Sequence, residues 1–198
     1  MSAIPKTKLM PEEYLEFERN SDMKHEYFNG EIFAMSGAKR NHNKITTNLS
    51  GLVWQHLKGK NCENYSSDMR VFVSETGLYT YPDLVVVCGE PEFKDNVFDT
   101  LLNPVLLIEV LSESTESYDR GKKFQHYRSI ESLQEYVLVA QDEARIEKYV
   151  KSGDGFWFFT ESVGIDSGIE FSSIECQIAL REVFDKINFS ENNAEKTR

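Results

Sequence analysis

The chain contains the stretch Val105-Leu106-Leu107-Ile108-Glu109-Val110-Leu111, in which six apolar residues surround a single carboxylate. A second apolar run, Leu84-Val85-Val86-Val87, follows directly on Pro82-Asp83. Near-continuous apolar runs of this length are typical of strands that are buried on both faces of a sheet. The two runs therefore predict neighbouring central strands, one that begins next to Asp83 and one that carries Glu109 in its interior.

The residues that precede these strands predict two helices and a hairpin. Pro11 suits the first position of a short helix, and the acids that follow it suit the positive end of the helix dipole. Asn29-Gly30 joins two short strand candidates and tolerates the positive φ angles of a type I′ turn. Residues 42–58 carry apolar side chains at helical spacing and predict an amphipathic helix.

The remaining elements complete an α/β (α+β) fold with a mixed central sheet flanked by helices and an antiparallel C-terminal β extension. The further expected elements are strands at 69–74 and 135–140, a helix at 119–130, a hairpin of 145–150 with 156–159, and a short helix at 181–187. No repeat or linker interrupts the pattern, so we expect one domain over residues 1–187. Residues 188–198 are polar and are expected to form a disordered tail.

Composition excludes several classes of protein. The 198 residues include 22 Lys+Arg and 33 Asp+Glu, a net charge of −11, while 40% of them are hydrophobic, which is incompatible with a disordered polyelectrolyte. No apolar stretch is long enough to cross a bilayer, and the N-terminus lacks the apolar segment of a signal peptide. We therefore expect a cytoplasmic protein. Its three scattered cysteines are expected to be reduced, and neither they nor the four histidines have the spacing of a zinc site.

The sequence predicts that Glu109 and Lys123 form a pair of buried charges. An isolated charge in so apolar a strand is costly, so Glu109 requires a partner. At about 100° per residue from Asp119, Lys123 lies at about 40° on the helix, close to Ile130 at about 20°, whereas Lys122 points away. Lys123 therefore faces the sheet that carries Glu109. This pair is either a structural link between helix and sheet or part of a functional site.

Common catalytic motifs are not found elsewhere in the sequence. There is no Gly-x-Ser-x-Gly elbow and no Gly-x-Gly-x-x-Gly loop, and Gly121-Lys122-Lys123 lacks the upstream glycine and the Ser/Thr of a phosphate loop. Asp83 alone is a weak signal, because an acid at the start of a strand is often a turn residue. The carboxylates on the two apolar strands are therefore the main candidates for chemistry.

The sequence resembles the PD-(D/E)XK nuclease superfamily, and in particular a branch of bacterial restriction-endonuclease-like proteins of unknown function. The resemblance covers roughly residues 10–187. It rests on five segments: His25-Glu26-Tyr27-Phe28-Asn29-Gly30-Glu31, Tyr81-Pro82-Asp83, Ile108-Glu109-Val110-Leu111-Ser112-Glu113-Ser114-Thr115, Asp119-x-x-x-Lys123-x-x-x-Tyr127, and Gln134-Glu135-Tyr136. It implies a restriction-endonuclease-like fold and the hydrolysis of phosphodiester bonds.

The resemblance implies roles for individual residues. Asp83 and Glu109 match the metal-binding acids, whereas the usual signature lysine is replaced by Leu111. Lys123 then supplies the amine from the following helix. The early helix at 42–58 contains no acid, so Glu26 is expected to be a further metal ligand.

Other acids and the tyrosine of these segments have weaker assignments. Glu31 is the fallback for Glu26, and both acids are also compatible with ordinary exposed strand positions. Tyr127 is expected to pack against the site or to hydrogen-bond to it. Asp119 is interpreted as a helix N-cap in preference to a catalytic residue.

The resulting functional hypothesis is a metal-dependent endodeoxyribonuclease. Hard carboxylate oxygens suit Mg²⁺ or Mn²⁺, and Lys123 would orient or deprotonate the attacking water. The alternative is a catalytically inactive nuclease fold that binds a protein or nucleic-acid partner, which Leu111 and the acidic composition favour. A DNA substrate and a homodimer are the expected partners, although no residue pattern determines the symmetry or the DNA specificity.

Basic and aromatic residues suggest where such partners would bind. Residues 39–60 and 120–130 contain 9 of the 22 basic residues and no acid, and both segments belong to helices expected beside the carboxylate sheet. The net charge therefore does not exclude a phosphate substrate, but it predicts weak, salt-sensitive binding through one face. The aromatic segment 156–159 is compatible with base stacking, hairpin packing or a dimer contact.

Overall fold

The structure is a computed structural model that describes residues 8–189. Most of the expected C-terminal tail, residues 190–198, lies outside the described residues. The beginning of that tail is ordered against the body of the protein: Phe189 packs on the hydrophobic core, and the carbonyl of Asn188 accepts a hydrogen bond from Asn41 at 3.1 Å. The domain boundary expected after residue 187 stays a prediction.

The described chain folds into short strands, many of them in succession, and a few helices. In the first half these are α1 (Pro11–Arg19), β1 (His25–Phe28), β2 (Glu31–Ala34), α2 (Arg40–Leu57), β3 (Cys62–Ser66), β4 (Arg70–Val73), β5 (Leu78–Thr80), β6 (Leu84–Cys88), β7 (Thr100–Leu101) and β8 (Leu106–Val110). In the second half they are α3 (Glu116–Tyr118), a π-helical turn (Asp119–Lys123), α4 (Phe124–Tyr127), β9 (Glu135–Val139), β10 (Arg145–Lys151), β11 (Trp157–Val163), β12 (Gly168–Phe171), a 3₁₀ turn (Ser172–Ile174), β13 (Cys176–Ala179) and α5 (Leu180–Val183).

Two mixed sheets contain most of the strands. The larger sheet has the order β11-β10-β9-β8-β6-β3, with β8 and β9 parallel and its other neighbours antiparallel. The second sheet has the order β2-β1-β5-β4-β7, and β12 pairs with β13 separately. The expected mixed α/β fold with antiparallel C-terminal strands is confirmed.

The larger sheet is covered on both faces, as its apolar strands require. Alternate residues of β8, such as Ile108, pack with α2 in one core cluster, while Leu107 packs in a second cluster with Tyr127 of α4. Because successive side chains of a strand point to opposite faces, Glu109 lies on the α4 side together with Leu107. The two helices thus clasp the sheet, and α4 covers the face that carries Glu109.

The hairpin and the main helices follow the sequence pattern closely. Asn29 and Gly30 have φ angles of 51° and 86°, as a type I′ turn requires. The helix expected at 119–130 is present over residues 116–127, but a π-helical turn interrupts it. The strands β3, β5, β7, β12 and β13 were not predicted, because they are short or contain polar residues.

The expectation that all three cysteines are reduced is wrong for two of them. Cys62 of β3 and Cys88 of β6 form a disulfide, and their Cα atoms are 4.0 Å apart. They are directly opposite each other in the antiparallel pair, where facing residues approach closely. The sequence did not reveal this pair because β3 was not recognised as a strand. Cys176 is a buried free thiol, as expected.

Within the described part of the chain, no helix is both long and apolar enough to cross a membrane.

A buried carboxylate ties the C-terminal strands to the larger sheet. Glu135 is fully buried, and its two oxygens accept hydrogen bonds from the backbone and side chains of Ser172 and Ser173 at 2.5–3.0 Å. Lys148 Nζ lies 3.3 Å from Glu135 Oε1. We expect Glu135→Gln to lower the free energy of unfolding by about 2–3 kcal/mol, because charge-assisted hydrogen bonds are lost.

Chemical denaturation would measure this loss. Glu131→Gln is the matched control, because Glu131 lies four residues before Glu135 and is exposed. The control is expected to change stability by less than about 0.5 kcal/mol. Equal stability of the two variants would contradict the structural role of Glu135.

Candidate active site

The strand pairing brings Asp83 and Glu109 together. β6 and β8 are antiparallel, and Leu84, the first residue of β6, is opposite Ile108. In the same register the preceding residue, Asp83, lies beside Glu109. The backbone N–H of Val110 donates to Asp83 Oδ2 at 2.8 Å and holds the carboxylate against the end of β8. The two acids expected from separate strands therefore share one end of the larger sheet.

Glu109 is almost fully buried and is held by two donors. Its Oε1 accepts hydrogen bonds from the Tyr127 hydroxyl at 2.8 Å and lies 2.9 Å from Lys123 Nζ. Both donors come from the helical segment that covers this face. The expected contact between Glu109 and Lys123 is present, and Tyr127 hydrogen-bonds to the site as predicted.

Lys123 lies among three carboxylates. Its Nζ is 2.9 Å from Glu109 Oε1, 3.3 Å from Glu26 Oε1 and 3.5 Å from Asp119 Oδ1, and the residue is 5% exposed. An ammonium so deeply buried requires this compensation. Leu111 stands where the superfamily signature has lysine. Its side chain is buried in the core cluster that contains Tyr127, on the same side of the sheet as Glu109.

Glu26 reaches the site from the hairpin, whereas Glu31 does not. Glu26 Oε1 accepts a hydrogen bond from Thr80 in addition to its contact with Lys123. Glu31 is exposed at the start of β2. Of the two alternatives, the structure places only Glu26 beside Lys123. Its role as a further metal ligand stays a prediction.

The structure corrects the interpretation of Asp119 as an N-cap. The helical segment begins at Glu116, and Asp119 lies inside it, at the start of the π-helical turn, with helical backbone angles. Its side chain is buried and faces Lys123. The sequence analysis missed Asp119 as a site residue. Its i,i+4 spacing from Lys123 was the signal that could have identified it.

The site contains more negative charge than its lysine neutralises. Burial, opposed by Lys123 and assisted by Asp119 and Asp83, raises the pKa of Glu109 to about 8. Burial would lower the pKa of Lys123, but Glu109, Glu26 and Asp119 raise it well above its usual value. Burial likewise raises the pKa of Asp119. The cluster therefore combines a stable ammonium with carboxylates that would accept a proton or a further cation.

The oxygen atoms of Asp83 and Glu109 fit a divalent cation. Each acid has one oxygen that accepts a hydrogen bond, Oδ2 and Oε1 respectively, whereas Asp83 Oδ1 and Glu109 Oε2 accept no hydrogen bond within residues 8–189. Two carboxylates with remaining waters are a usual arrangement for Mg²⁺. In the same residues no group of three His, Cys, Asp or Glu side chains is arranged to hold a metal ion, so the fit rests on these two acids.

A histidine that the sequence analysis considered only for zinc also contacts the site. His42 Nε2 lies 3.2 Å from Asp83 Oδ2, and both side chains are mostly buried. His42 stands in the first turn of α2, which contains no acid. The absence of an acid in this helix was noted from the sequence, but nothing local indicated that its histidine would reach Asp83.

Part of the basic charge near the site is neutralised within the protein. Arg120 pairs with Glu116 at 2.8 Å and also with Glu147, which lies on β10. Lys122 and Arg128 are exposed on the same helical segment. Fewer cations are thus presented to a phosphate backbone than the sequence suggested, which agrees with an expectation of weak, salt-sensitive binding.

Comparisons with known proteins point to one family. Residues 11–172 match the family model Uma2, described as "Putative restriction endonuclease". Two proteins of Synechocystis sp. (strain ATCC 27184 / PCC 6803 / Kazusa) are similar over nearly their whole length. "Uncharacterized protein sll1609" is 42% identical over 87% of this chain and 98% of its own, and "Uncharacterized protein slr1290" is 40% identical over 94% and 97%.

A solved structure shows the same fold. The crystal structure of "a putative nuclease belonging to DUF820" from Anabaena variabilis ATCC 29413 matches with a TM-score of 0.75, over 91% of this chain and 99% of that chain. Its sequence identity is 16%, so the likeness concerns the fold. The nuclease-like fold expected from the sequence is confirmed.

Proposed function

The chain belongs to the Uma2 family of restriction-endonuclease-like proteins, and from this premise we propose that it is an endodeoxyribonuclease that depends on Mg²⁺ or Mn²⁺. The observation that carries the proposal is the pair of carboxylates on adjacent strands, Asp83 and Glu109, each with one oxygen that no protein donor holds in the described chain. The ammonium of Lys123 lies next to this pair. Phosphodiester hydrolysis requires such a combination of cation ligands and a fixed positive charge.

The proposed roles follow from the contacts. Asp83 and Glu109 would hold the cation, which supplies Lewis-acid stabilisation of negative charge on the phosphoryl group when bound. Lys123 would donate hydrogen bonds to the attacking water or to a phosphoryl oxygen. Tyr127 would keep Glu109 in its orientation through its hydroxyl.

Glu26 and Asp119 support the proposed role of Lys123. Both carboxylates contact its ammonium, hold it in place and keep it charged. Glu26 Oε1 contacts Lys123 and Thr80, and a role as a third ligand would require Glu26 to move, because the described side chains form no metal-binding group of three. We further propose a cytoplasmic location for the protein.

Cleavage of supercoiled plasmid tests the proposed activity directly. Purified protein is expected to convert the plasmid to nicked or linear DNA in Mg²⁺ or Mn²⁺ and to stop when EDTA removes the cation. Calorimetry with Mn²⁺ alone is expected to show binding without DNA. If neither plasmid nor branched DNA is cut and Mn²⁺ produces no heat, the nuclease proposal fails and the non-catalytic interaction module is favoured.

We also propose that two copies of the chain associate through the edge of the larger sheet. β11 is the terminal strand of that sheet and pairs on one side with β10. Phe158, Phe159 and Val163 of β11 are 51–60% exposed, and no charged residue interrupts the strand before Glu161. Because an edge strand with apolar side chains favours pairing with another strand, antiparallel contact of two β11 strands would give a dimer with two sites for the two DNA strands.

The dimer is tested by Phe158→Lys and sedimentation at several concentrations. This variant is expected to raise the dimer dissociation constant at least about tenfold, because it adds a charge to the apolar edge. Met23→Lys is the matched control, since Met23 is equally exposed but lies between α1 and β1. A wild-type protein that stays monomeric at every concentration would contradict the dimer.

A further inference from the structure

The first turn of α2 brings an imidazole to the candidate cation site. α2 begins at Arg40, and its third residue, His42, places Nε2 3.2 Å from Asp83 Oδ2. The side chains of His42 and Asp83 are 14% and 17% exposed. The contact joins a helix on one face of the larger sheet to the acid at the start of β6, so it is a tertiary contact across 41 residues of sequence.

The two oxygens of Asp83 have different surroundings. Oδ2 accepts from the Val110 N–H at 2.8 Å and is within hydrogen-bonding distance of His42 Nε2. Oδ1 accepts no hydrogen bond among residues 8–189. The Val110 N–H bond and the nearby imidazole both lie at Oδ2, so a donor at His42 would restrict rotation of the carboxylate and give its second oxygen a defined direction.

We propose that His42 is a positioning residue, whose Nε2–H donates to Asp83 Oδ2 and directs Oδ1 towards the cation. This inference rests on the proposed function, because it assigns the orientation of a cation ligand. α2 contains no acid, and the contact that His42 makes is with the carboxylate of Asp83, which is the basis for assigning it a donor role. Hydrogen bonds to ligating carboxylates orient them and tune cation affinity.

The chemistry of the side chain explains why a histidine suits this position. A neutral imidazole can donate one hydrogen bond without adding a permanent positive charge. Lysine or arginine at the same place would set a full charge against Asp83 and compete with a divalent cation for its carboxylate. A neutral donor therefore orients Asp83 and leaves its negative charge available.

Mn²⁺ binding to three folded variants tests the proposal without any measurement of cleavage. His42→Ala is expected to weaken Mn²⁺ binding about 10–100-fold in calorimetry, the usual effect of removing a partner of a metal ligand. His42→Gln, which can donate a hydrogen bond from its amide, is expected to recover part of that loss. His56→Ala is the matched control on the same helix, because His56 lies near Ile174 and Lys60, and it is expected to bind Mn²⁺ as wild type does.

A double-mutant cycle separates orientation from general loss of structure. In an Asp83→Ala background, His42→Ala is expected to change Mn²⁺ affinity by less than about twofold, since there is no carboxylate left to orient. Mn²⁺ binding by wild type together with undiminished binding by His42→Ala would overturn the role of His42 and leave the proposed function intact. A lack of recovery in His42→Gln would also overturn it.

If the wild-type protein binds no Mn²⁺, that result contradicts the proposed function itself and therefore also the role of His42. Thermal unfolding of each variant confirms that the proteins compared are folded.

Discussion

A protein that carries Asp83→Asn is expected to lose cation-dependent DNA cleavage by at least about a thousandfold. The substitution preserves the size of the side chain but removes the charge that would hold the cation. Lewis-acid stabilisation of the transition state contributes several kcal/mol, and about 4 kcal/mol corresponds to about a thousandfold in rate. The measurement is the initial rate of plasmid nicking in Mg²⁺, with Mn²⁺ calorimetry on the same preparation.

A second ligand variant and a control variant complete this experiment. Glu109→Gln is expected to give a similar loss, because Glu109 is the second proposed ligand. Glu113→Gln is the matched control, since Glu113 is exposed shortly after β8 and is expected to keep wild-type activity. Cleavage by Asp83→Asn and Glu109→Gln at the wild-type rate would show that these carboxylates are not cation ligands.

Lys123→Met is expected to lower the cleavage rate by about 10²–10⁴-fold while Mn²⁺ binding persists. Loss of a positioned proton donor or acceptor has an effect of this size. Methionine keeps the length of the side chain but leaves the carboxylates of Glu26, Glu109 and Asp119 without their shared ammonium. Cation affinity is therefore expected to be equal to that of wild type or higher, because a positive charge next to the ligands has been removed.

The same substitution is expected to destabilise the protein by about 3–5 kcal/mol in the absence of cation, the usual cost of leaving a buried charge without its partner. Cleavage and stability are therefore measured at low temperature, where the variant is folded. Lys122→Met is the matched control, because Lys122 is exposed and adjacent in sequence. Wild-type cleavage by Lys123→Met would establish the other interpretation of the Glu109–Lys123 pair, a structural link between helix and sheet.

The pairing of Glu109 with Lys123 could be predicted because each half of it follows from a local pattern. An acid in a continuous apolar strand requires a partner, and the helical period directs Lys123 to the same side of the sheet. The π-helical turn changes the local winding, yet Lys123 remains buried against Glu109. The hairpin at Asn29-Gly30 was predictable for the same reason, since two adjacent residues determine its turn.

The other contacts of the site do not follow from local patterns, because they depend on how distant elements pack; only the family resemblance had suggested Glu26. Glu26 reaches Lys123 only because β1 pairs with β5, so that Glu26 also meets Thr80. His42 reaches Asp83 only because α2 packs across β6 and β8. The disulfide of Cys62 and Cys88 likewise depends on the register of β3 with β6.

The sequence by itself determined the apolar central strands, the turn of the hairpin, the face of each helix and the two charges that had to be paired. These features depend on the order of neighbouring residues, through the periods of strand and helix. Only the tertiary structure decided that His42 and Asp119 join the expected acids and Lys123 at one end of the larger sheet. The physical reason is that strand pairing and helix packing join segments far apart in sequence, and the spacing of residues along the chain carries no record of their register.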